Sequence, residues 1–385
     1  MKTVSVLGST GSVGRNTLDL VASRRERYKV VALTAHTNVQ LLAGQARDLN
    51  AEHAVIADET LYGDLKQALA GTKTKAAAGA QAVVDAAGIP ADWIMAAIVG
   101  AAGVSSTLRA IEQGTTVALA NKESLVCAGP FMMNAVEKHG TTLLPVDSEH
   151  NAIFQVLNPA QRDGIKRLIL TASGGPFLRK TRTELQDITP EQAVKHPTWA
   201  MGRKISIDSA TMMNKSLEII EASYLFKAKH EQIDVVIHPQ SIVHSMVEYI
   251  DGSVLSQMGA PDMRTPIANT LAWPERMKTT GDTLSFINQI NLSFEQIDIV
   301  RFPSIKMARD VLQANSPAAS TIFNAANEAA VAAFLARRLK FSEIESVVGE
   351  TLQTADIPSV SSLDMIFQTD TDARRIAEKV IARVH

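Results

Sequence analysis

The sequence has very little cysteine and no excess of either charge. Cys127 is the single cysteine among 385 residues, which excludes an intrachain disulfide framework and a Cys-rich zinc module. Lys and Arg number 38 against 40 Asp and Glu, so the formal net charge is −2. Proteins that bind nucleic acid by neutralising many phosphates carry a basic excess, so we expect no nucleic-acid partner.

The chain also lacks a long apolar run. Its longest apolar stretch, residues 93–104, contains two glycines and is too short to span a bilayer. The first residues lead directly into a strand pattern, without an apolar signal segment. One cysteine fits a reducing compartment, so we expect a cytoplasmic protein with no membrane partner.

The composition is that of a protein with a hydrophobic core, since 46% of the residues are hydrophobic. The length of 385 residues predicts two or three domains. Residues 1–147 alternate amphipathic segments, such as 38–50 and 104–112, with short segments rich in Val and Ile. The latter predict buried strands at 4–7, 30–33, 54–57, 94–99, 116–119 and 142–146. Alternating strands and helices indicate an α/β domain with a parallel sheet.

The pattern changes after residue 147 to that of a central α+β domain, which we expect to be catalytic and to span 148–272. Its predicted features are strands at 165–171 and 235–238, a helix over 212–226, a mobile loop at about 189–204, and a hairpin of 242–250 and 253–258 about Asp251-Gly252. The sequence further predicts a linker over 273–303. It predicts an Ala-rich C-terminal helical bundle domain over 304–385.

A glycine-rich turn follows the first predicted strand and opens a helix, with the sequence Gly8-Ser9-Thr10-Gly11-Ser12-Val13-Gly14. Glycine allows a tight turn, and a helix N-terminus presents N–H groups to a pyrophosphate. Such a turn can be a plain loop. At the first junction of a repeated strand–helix pattern, however, it predicts a Rossmann-like dinucleotide-binding domain over residues 1–147.

The end of the second predicted strand distinguishes NADP from NAD. NAD sites usually place Asp or Glu there to bind the ribose 2′-hydroxyl, whereas this chain has His36, Thr37 and Asn38. Without a carboxylate to repel a 2′-phosphate, NADPH is the expected cofactor. Because no Lys or Arg is present either, we expect these three residues to hold that phosphate.

Two carboxylates follow the sixth predicted strand, in Asp147-Ser148-Glu149-His150. If the extended conformation continues, Asp147 and Glu149 point to the same side, at the edge where parallel sheets bind ligands. Oxygen ligands suit Mg²⁺ or Mn²⁺, although the same residues could form a solvated acidic turn.

On the helix predicted over 212–226, Asn214, Lys215 and Glu218 share one face. The ordinary interpretation of this spacing is a surface ion pair between Lys215 and Glu218. Small polar residues at 206–211 precede them, and the Gly-rich segment 171–176 can form a nest of N–H groups. Both patterns are typical of anion sites and of ordinary turns.

Several single residues have a functional and an ordinary interpretation. Lys122 either polarises a substrate oxygen or pairs with a neighbouring charge at a helix start. His196 is either a lid residue or a surface histidine. Cys127 is either a nucleophile or a small buried residue.

Seven motifs occur together and in the order found in one known family. Beside the glycine turn they are Ala120-Asn121-Lys122-Glu123-Ser124, Pro145-Val146-Asp147-Ser148-Glu149-His150-Asn151-Ala152-Ile153-Phe154, Ser173-Gly174-Gly175-Pro176-Phe177, Met201-Gly202-Arg203-Lys204, Asp208-Ser209-Ala210-Thr211-Met212-Met213-Asn214-Lys215 and His238-Pro239-Gln240-Ser241. On these motifs the chain closely resembles the 1-deoxy-D-xylulose 5-phosphate reductoisomerase family over essentially its whole length.

The resemblance implies an NADPH-dependent oxidoreductase, homodimeric and using Mg²⁺ or Mn²⁺. Its reaction would convert 1-deoxy-D-xylulose 5-phosphate to 2-C-methyl-D-erythritol 4-phosphate, the committed step of the non-mevalonate (MEP) isoprenoid pathway. The implied chemistry is retro-aldol cleavage and re-addition, followed by hydride transfer under a closed lid.

The resemblance also implies roles for residues at the matching positions. The metal ligands would be Asp147, Glu149 and Glu218. The catalytic residues would be Lys122, Glu149, His196 and Glu218. The substrate would be bound by Lys122, Ser148, Glu149, Ser173, His196, Ser209, Asn214, Lys215 and Glu218, with Trp199 as its cover and His150 and His244 nearby. The cofactor would be bound by Thr10, Gly11, Ser12, Val13, Asn38, Asn121, Glu123 and Gly202, beside His36 and Thr37.

Two positions depart from the family pattern. Many members have Gly-Lys-Asn where this chain has His36-Thr37-Asn38, which leaves Asn38 as the matching residue. Ser216 stands where glycine is common, and because serine is small we expect no loss of activity.

Two other functions fit part of the pattern. An NADP-dependent semialdehyde dehydrogenase also begins with such a glycine turn, but its chemistry needs a cysteine thiolate, for which only Cys127 is available. A non-catalytic NADPH-sensing module would need neither the three carboxylates nor a divalent cation.

Overall fold

A computed structural model describes residues 1–181, 183–199, 201–287 and 290–384. Ala200, in the predicted loop, and His385, in the predicted C-terminal domain, lie outside the described residues. The described residues divide into two compact units. Unit 1 comprises Met1–Ser124, Met132–Asn151 and Asp262–Asp282, and unit 2 comprises Leu125–Phe131, Ala152–Pro261 and Thr283–His385.

Unit 1 is built on a parallel sheet of seven strands among the described residues, in the order β4-β3-β2-β1-β5-β6-β7. The strands are β1 (Lys2–Leu7), β2 (Tyr28–Ala35), β3 (His53–Ile56), β4 (Lys75–Ala78), β5 (Trp93–Ala96), β6 (Thr116–Leu119) and β7 (Thr142–Pro145). The strand order reverses between β1 and β5. Open α/β sheets bind ligands at such a switch point, beside the carboxyl ends of the strands.

Helices connect the strands of unit 1 and make up much of unit 2. In chain order they are α1 (Ser12–Ala22), α2 (Val39–Asp48), α3 (Tyr62–Ala68), α4 (Ala80–Ala87), α5 (Val104–Ile111), α6 (Lys122–His139), α7 (Ser148–Val156), α8 (Pro190–Ala193), α9 (Arg203–Ala210), α10 (Met213–Leu225), α11 (Arg264–Ala272), α12 (Ser304–Gln313), α13 (Pro317–Leu335), α14 (Ile344–Thr354) and α15 (Leu363–Val384).

The core of unit 1 forms where the apolar strands meet the helices. Val4, Val6 and Trp93 are fully buried in it. The Trp93 indole N–H donates a hydrogen bond of 3.1 Å to the Thr270 carbonyl oxygen, which fastens α11 to the sheet. Burial of apolar side chains stabilises this unit as the alternating sequence pattern requires.

Unit 2 contains a mixed sheet, with the strands β8 (Ile165–Ala172), β9 (Ile233–Ile237), β10 (Val243–Tyr249), β11 (Val254–Met258) and β12 (Glu295–Gln296). Its order is β11-β10-β8-β9-β12, and β8 and β9 run parallel while the other neighbours are antiparallel. The predicted hairpin is confirmed as β10 and β11, with Gly252 at a φ of +89° in the turn.

The C-terminal helices of unit 2 pack around α13. Its Ala325, Ala326 and Ala330 are fully buried, as are Phe323 and Phe334. Small side chains allow close approach of α14 and α15, while the two rings fill the remaining volume. The predicted helical C-terminal region is therefore confirmed.

The predicted fold class, a Rossmann-like α/β region followed by an α+β region and a helical bundle, is confirmed. The strand β4 has no counterpart in the prediction because its sequence, Lys-Ala-Ala-Ala, contains no β-branched or aromatic residue. It is an edge strand, and among the described residues it pairs only with β3. The segment 189–204 contains α8 and the start of α9, and the segment 273–303 contains β12. Among the described helices, none combines the length and apolar character needed to cross a membrane.

Candidate active site

The glycine turn lies between β1 and α1, in unit 1. Gly8 has a φ of +86°, and a Cβ there would lie 2.6 Å from the Ala97 carbonyl oxygen. A Cβ at Gly14 would lie 2.3 Å from the Gly8 carbonyl oxygen. Only glycine fits at either position without a backbone shift.

Thr10, Gly11, Ser12 and Val13 stand where this turn enters α1, with Gly11 as the N-cap residue. The first N–H groups of a helix have no acceptor within it and carry a partial positive charge. This close-packed turn at a helix N-terminus fits a dinucleotide pyrophosphate.

Two side chains that the sequence analysis missed fasten the turn. The Thr34 hydroxyl of β2 accepts the Gly8 N–H at 2.9 Å. On α2, the Gln45 side chain accepts the Ser9 hydroxyl at 2.8 Å and donates to the Ser9 carbonyl oxygen at 3.0 Å. Neither residue belongs to a recognisable motif, so no sequence pattern indicates their role.

The residues predicted to hold the 2′-phosphate follow β2. His36, Thr37 and Asn38 are all exposed. The Asn38 side chain accepts the Leu41 N–H at 3.1 Å and thereby caps α2. These three side chains therefore stand at the N-terminus of α2, accessible to a ligand.

A carboxylate lies beside these residues, although none was expected from the sequence around the second strand. Asp58, after β3, donates its backbone N–H to the His36 carbonyl oxygen at 3.2 Å. Hydrogen bonds from the Thr60 hydroxyl and N–H hold the pKa of the Asp58 carboxyl below its ordinary value, and His36 lowers that pKa further. Only strand pairing brings Asp58 here, so local sequence gave no signal.

Asn121 is the N-cap residue of α6 and is almost fully buried. Its amide nitrogen donates to the Gly100 carbonyl oxygen at 3.1 Å and to the Ser124 hydroxyl at 2.7 Å. Its side-chain oxygen has no hydrogen-bond partner among the described residues. Buried acceptors of this kind normally have a partner, so this oxygen fits a donor on a bound cofactor. Glu123, in the first turn of α6, is also buried.

The buried Lys122 and the partly buried Asp147 form an ion pair at the carboxyl edge of β6 and β7. The His150 Nδ1 lies 4.0 Å from Asp147 Oδ2. The Ser148 hydroxyl donates to the Glu149 carboxylate at 2.5 Å. The structure thus gathers this whole predicted group at one edge of the parallel sheet.

The expectation that Asp147 and Glu149 continue an extended strand is wrong. The helix α7 begins at Ser148, and the Asn151 N–H donates to the Asp147 carbonyl oxygen at 2.8 Å. Carboxylates are stabilised at a helix N-terminus because the helix dipole is positive there. Asn151 lies in the same motif but had no predicted role; its side chain donates to the Pro145 carbonyl oxygen at 2.9 Å and fixes the strand-to-helix turn.

In unit 2, Ser173 and His196 are hydrogen-bonded at 2.8 Å between Oγ and Nε2. The His196 Nδ1 accepts the backbone N–H groups of Thr198 and Trp199 at 3.2 and 3.0 Å. A neutral ring that accepts at Nδ1 carries its proton at Nε2, so His196 donates to Ser173. The Ser173 hydroxyl also accepts the Gly175 N–H at 3.1 Å, which leaves its own proton to donate to an anion.

The glycine pair after β8 brings Ser173 to the end of α9. Gly174 and Gly175 have φ values of +82° and +66°. A Cβ at Gly175 would lie 2.8 Å from the Ser209 carbonyl oxygen. This close approach places the predicted phosphate residues Ser173 and Ser209 on adjoining backbone segments, with the N–H groups of a nest between them.

Glu218 is fully buried on α10, where it accepts hydrogen bonds from two neighbours. The Asn214 amide donates to one carboxylate oxygen at 2.5 Å, and the Lys215 ammonium is paired with the other. Lys215 is itself buried, so this is not the surface pair considered above. The Ser216 hydroxyl donates to the Met212 carbonyl oxygen at 3.1 Å, which accommodates the departure from glycine.

The segment before α9 carries the remaining predicted residues. The Trp199 ring packs against the buried His244, with ring centroids 6.0 Å apart. Gly202 is the N-cap residue of α9, and a Cβ there would meet no described atom within 4 Å. Packing therefore does not require glycine at this position.

Cys127 is buried in α6, as its ordinary interpretation predicts.

Comparison with known proteins identifies the family to which this geometry belongs. A family model described as 1-deoxy-D-xylulose 5-phosphate reductoisomerase matches residues 4–129, and models of two C-terminal domains of the same enzyme match 143–226 and 258–376. The reductoisomerase of Rhodospirillum centenum is 57% identical over 99% of this chain and 95% of its own length. The chain belongs to the 1-deoxy-D-xylulose 5-phosphate reductoisomerase family.

Solved reductoisomerase structures share the fold over the whole chain. The Zymomonas mobilis enzyme in complex with NADPH superposes with a TM-score of 0.93 at 53% identity, covering 99% of both chains. A reductoisomerase in complex with NADPH, fosmidomycin and magnesium gives 0.94 at 41% identity, covering 100% of this chain and 99% of its own. Membership of this family sets aside the semialdehyde dehydrogenase and the NADPH-sensing module.

Proposed function

We propose that this protein converts 1-deoxy-D-xylulose 5-phosphate to 2-C-methyl-D-erythritol 4-phosphate with NADPH and a divalent cation. The observation that carries the proposal is the 57% identity to a reductoisomerase over 99% of the chain. Family members with NADPH or with magnesium bound support the two cofactors. The product belongs to the non-mevalonate isoprenoid pathway.

The glycine turn of unit 1 would hold the cofactor, because its N–H groups and the dipole of α1 suit a pyrophosphate. When bound there, NADPH supplies the hydride. The residues proposed for it are Thr10, Gly11, Ser12, Val13, His36, Thr37, Asn38, Asn121, Glu123 and Gly202. The buried side-chain oxygen of Asn121 supports this set, since it calls for a donor that the described residues do not supply.

Asp147, Glu149 and Glu218 are the proposed ligands of Mg²⁺ or Mn²⁺. Their oxygen atoms suit a hard cation. Asp147 and Glu218 each form an ion pair with a lysine ammonium. Both carboxylates therefore bind a cation in a largely buried environment. When bound, the metal supplies Lewis-acid polarisation of substrate oxygens.

The proposed binding site for the substrate phosphate consists of Ser173, Ser209, Asn214 and Lys215. A cation bound to Glu218 would displace Lys215 from that carboxylate, and the ammonium would then be available to the phosphate. The same exchange would release Lys122 from Asp147 toward the oxygens of the sugar chain. The catalytic set is Lys122, Glu149, His196 and Glu218, with Ser148 as a further contact.

The segment 189–204 is the proposed lid. His196 reaches Ser173 from this segment, and Trp199 packs on His244. Closing these side chains over the substrate would exclude water from the reacting carbons and orient the substrate through its remote phosphate.

We also propose that the protein is a cytoplasmic homodimer. The edge strand β11 supports an association between copies, because Val254 and Leu255 on it and Ile250 beside it are exposed. An exposed apolar edge strand favours pairing with another chain.

The reaction is tested by following NADPH absorbance with purified protein and 1-deoxy-D-xylulose 5-phosphate. We expect oxidation of NADPH that needs both the substrate and a divalent cation, because polarisation of the substrate oxygens depends on the metal. EDTA should abolish turnover, and excess Mg²⁺ or Mn²⁺ should restore it. NADPH oxidation that survives complete metal removal would contradict the proposal.

A further inference from the structure

Ser9 lies inside the glycine turn, yet its side chain faces away from the surface. It is fully buried. Its backbone N–H donates to the Thr34 carbonyl oxygen at 2.8 Å, whereas its other two polar atoms bond to Gln45: the hydroxyl donates to Oε1 at 2.8 Å, and the carbonyl oxygen accepts from Nε2 at 3.0 Å. Gln45 lies on α2, 36 positions from Ser9.

The chemistry of the two groups fixes the orientation of the Gln45 amide. A carbonyl oxygen can only accept a hydrogen bond, so the amide nitrogen must face the Ser9 carbonyl. The amide oxygen is then left to accept the Ser9 hydroxyl proton. Glutamine is therefore matched to this site as a donor and an acceptor in one rigid plane.

Gln45 also joins the two parts of the proposed NADPH site. It holds the turn that faces the pyrophosphate, while Asn38 caps the N-terminus of the same helix beside His36 and Thr37. Together with Thr34 of β2, which accepts the Gly8 N–H, the Gln45 side chain therefore ties the pyrophosphate turn to the residues proposed for the 2′-phosphate.

We propose that Gln45 is a positioning residue for NADPH, acting through Ser9. This inference rests on the proposed function, because it assigns the glycine turn to the cofactor. A fixed turn holds its N–H groups in the geometry of the bound pyrophosphate, so less ordering is needed when NADPH binds.

The test compares Gln45→Leu with the wild-type protein. Leucine leaves two buried polar groups of Ser9 unpaired, so the turn relaxes. We expect the KM and the calorimetric Kd for NADPH to rise about tenfold or more. The kcat at saturating NADPH and the KM for 1-deoxy-D-xylulose 5-phosphate should stay within about twofold, because Gln45 acts on cofactor binding alone.

Three further variants separate positioning from general stability. Gln45→Glu keeps the shape and the acceptor but sets an oxygen against the Ser9 carbonyl, so the KM for NADPH should rise at least as much. Ser9→Ala removes only the hydroxyl bond and should give a smaller rise. Gln40→Leu alters an exposed residue of the same helix and should change nothing.

An unchanged Kd for NADPH in Gln45→Leu would overturn the proposal. An equal rise in the KM for both ligands together with a lower Tm would also overturn it, since that outcome indicates a general loss of structure. Failure of the proposed function is distinguishable: the wild-type protein would then not oxidise NADPH with the substrate, while calorimetry would still measure NADPH binding in each variant.

Discussion

At the scale of single residues, the site is organised by buried charges that neutralise one another. Lys122 pairs with Asp147 in unit 1, and Lys215 pairs with Glu218 in unit 2. Removing one partner of a buried pair leaves an uncompensated charge, so each lysine has a strong preference for an anion. On the proposed assignment, a bound divalent cation would release Lys215 toward the substrate phosphate and Lys122 toward the oxygens of the sugar chain.

Replacement of Glu218 tests the metal assignment directly. Glu218→Gln keeps the side-chain shape but removes the negative charge of a proposed ligand. We expect Mn²⁺ affinity, measured by electron paramagnetic resonance, to fall at least about tenfold and kcat/KM to fall about a hundredfold or more.

Glu248→Gln is the matched control in the same unit. Glu248 is a largely buried carboxylate that pairs with Lys166 and Arg167, whose hydrogen bonds hold its pKa below the ordinary value. Its replacement also breaks ion pairs, but we expect Mn²⁺ affinity and turnover to stay unchanged. Similar losses in both variants would mean that Glu218 acts through stability rather than through the metal.

The sequence alone identifies the chemistry of most of these residues but not their partners. Residue type and motif order led to Lys122, Asp147, Lys215 and Glu218. The tautomer of His196 depends on backbone N–H groups of a folded loop. Contacts between distant segments, such as that of Asp58 with His36, depend on strand pairing that no local pattern encodes.

At the scale of elements, the junction of β1 and α1 is constrained by its glycines. The Gly14 Cα faces the turn so closely that a Cβ would lie 2.3 Å from one backbone oxygen and 2.6 Å from the Ser9 Cα. Backbone atoms cannot yield as a flexible side chain does, so the whole turn must shift if any side chain is added.

Gly14→Ala should therefore weaken NADPH binding. We expect the calorimetric Kd for NADPH to rise more than about tenfold, because the shifted N–H groups no longer fit the pyrophosphate. Gly44→Ala is the control, since a Cβ at that position in α2 meets no described atom within 4 Å. It should leave the Kd unchanged and stabilise the helix by up to about 1 kcal/mol. An unchanged Kd in Gly14→Ala would show that the turn does not contact the cofactor.

Elements with a strong pattern were predictable, and those set by tertiary contacts were not. The helix predicted over 212–226 is α10, Met213–Leu225, because its apolar positions recur at helical spacing. The edge strand β4 owes its conformation to pairing with β3, since its three alanines have no strand preference of their own. The polar residues after Pro145 form α7, whose first turn contains the acidic Glu149 and begins with the hydrogen bond from the Asn151 N–H to the Asp147 carbonyl oxygen.

At the scale of the whole molecule, a net charge of −2 accompanies a function that binds several anionic groups. On the proposed assignment, individual lysines, hydroxyl groups and backbone N–H groups at the site would bind these anions, because the protein has no overall basic field. The division of the chain into three domains at residues 147, 272 and 303 is our proposal. In the structure, Asp262–Asp282 belongs to the compact unit 1, which contains the Rossmann-like sheet.

In the proposed reaction, one protein rearranges a carbon skeleton and then reduces it. The most direct measurement is identification of the product by NMR after incubation with 1-deoxy-D-xylulose 5-phosphate, NADPH and Mg²⁺. We expect branched 2-C-methyl-D-erythritol 4-phosphate, formed in equal amount to the NADPH consumed. An unbranched reduced sugar phosphate would contradict this expectation, since that product indicates reduction without rearrangement.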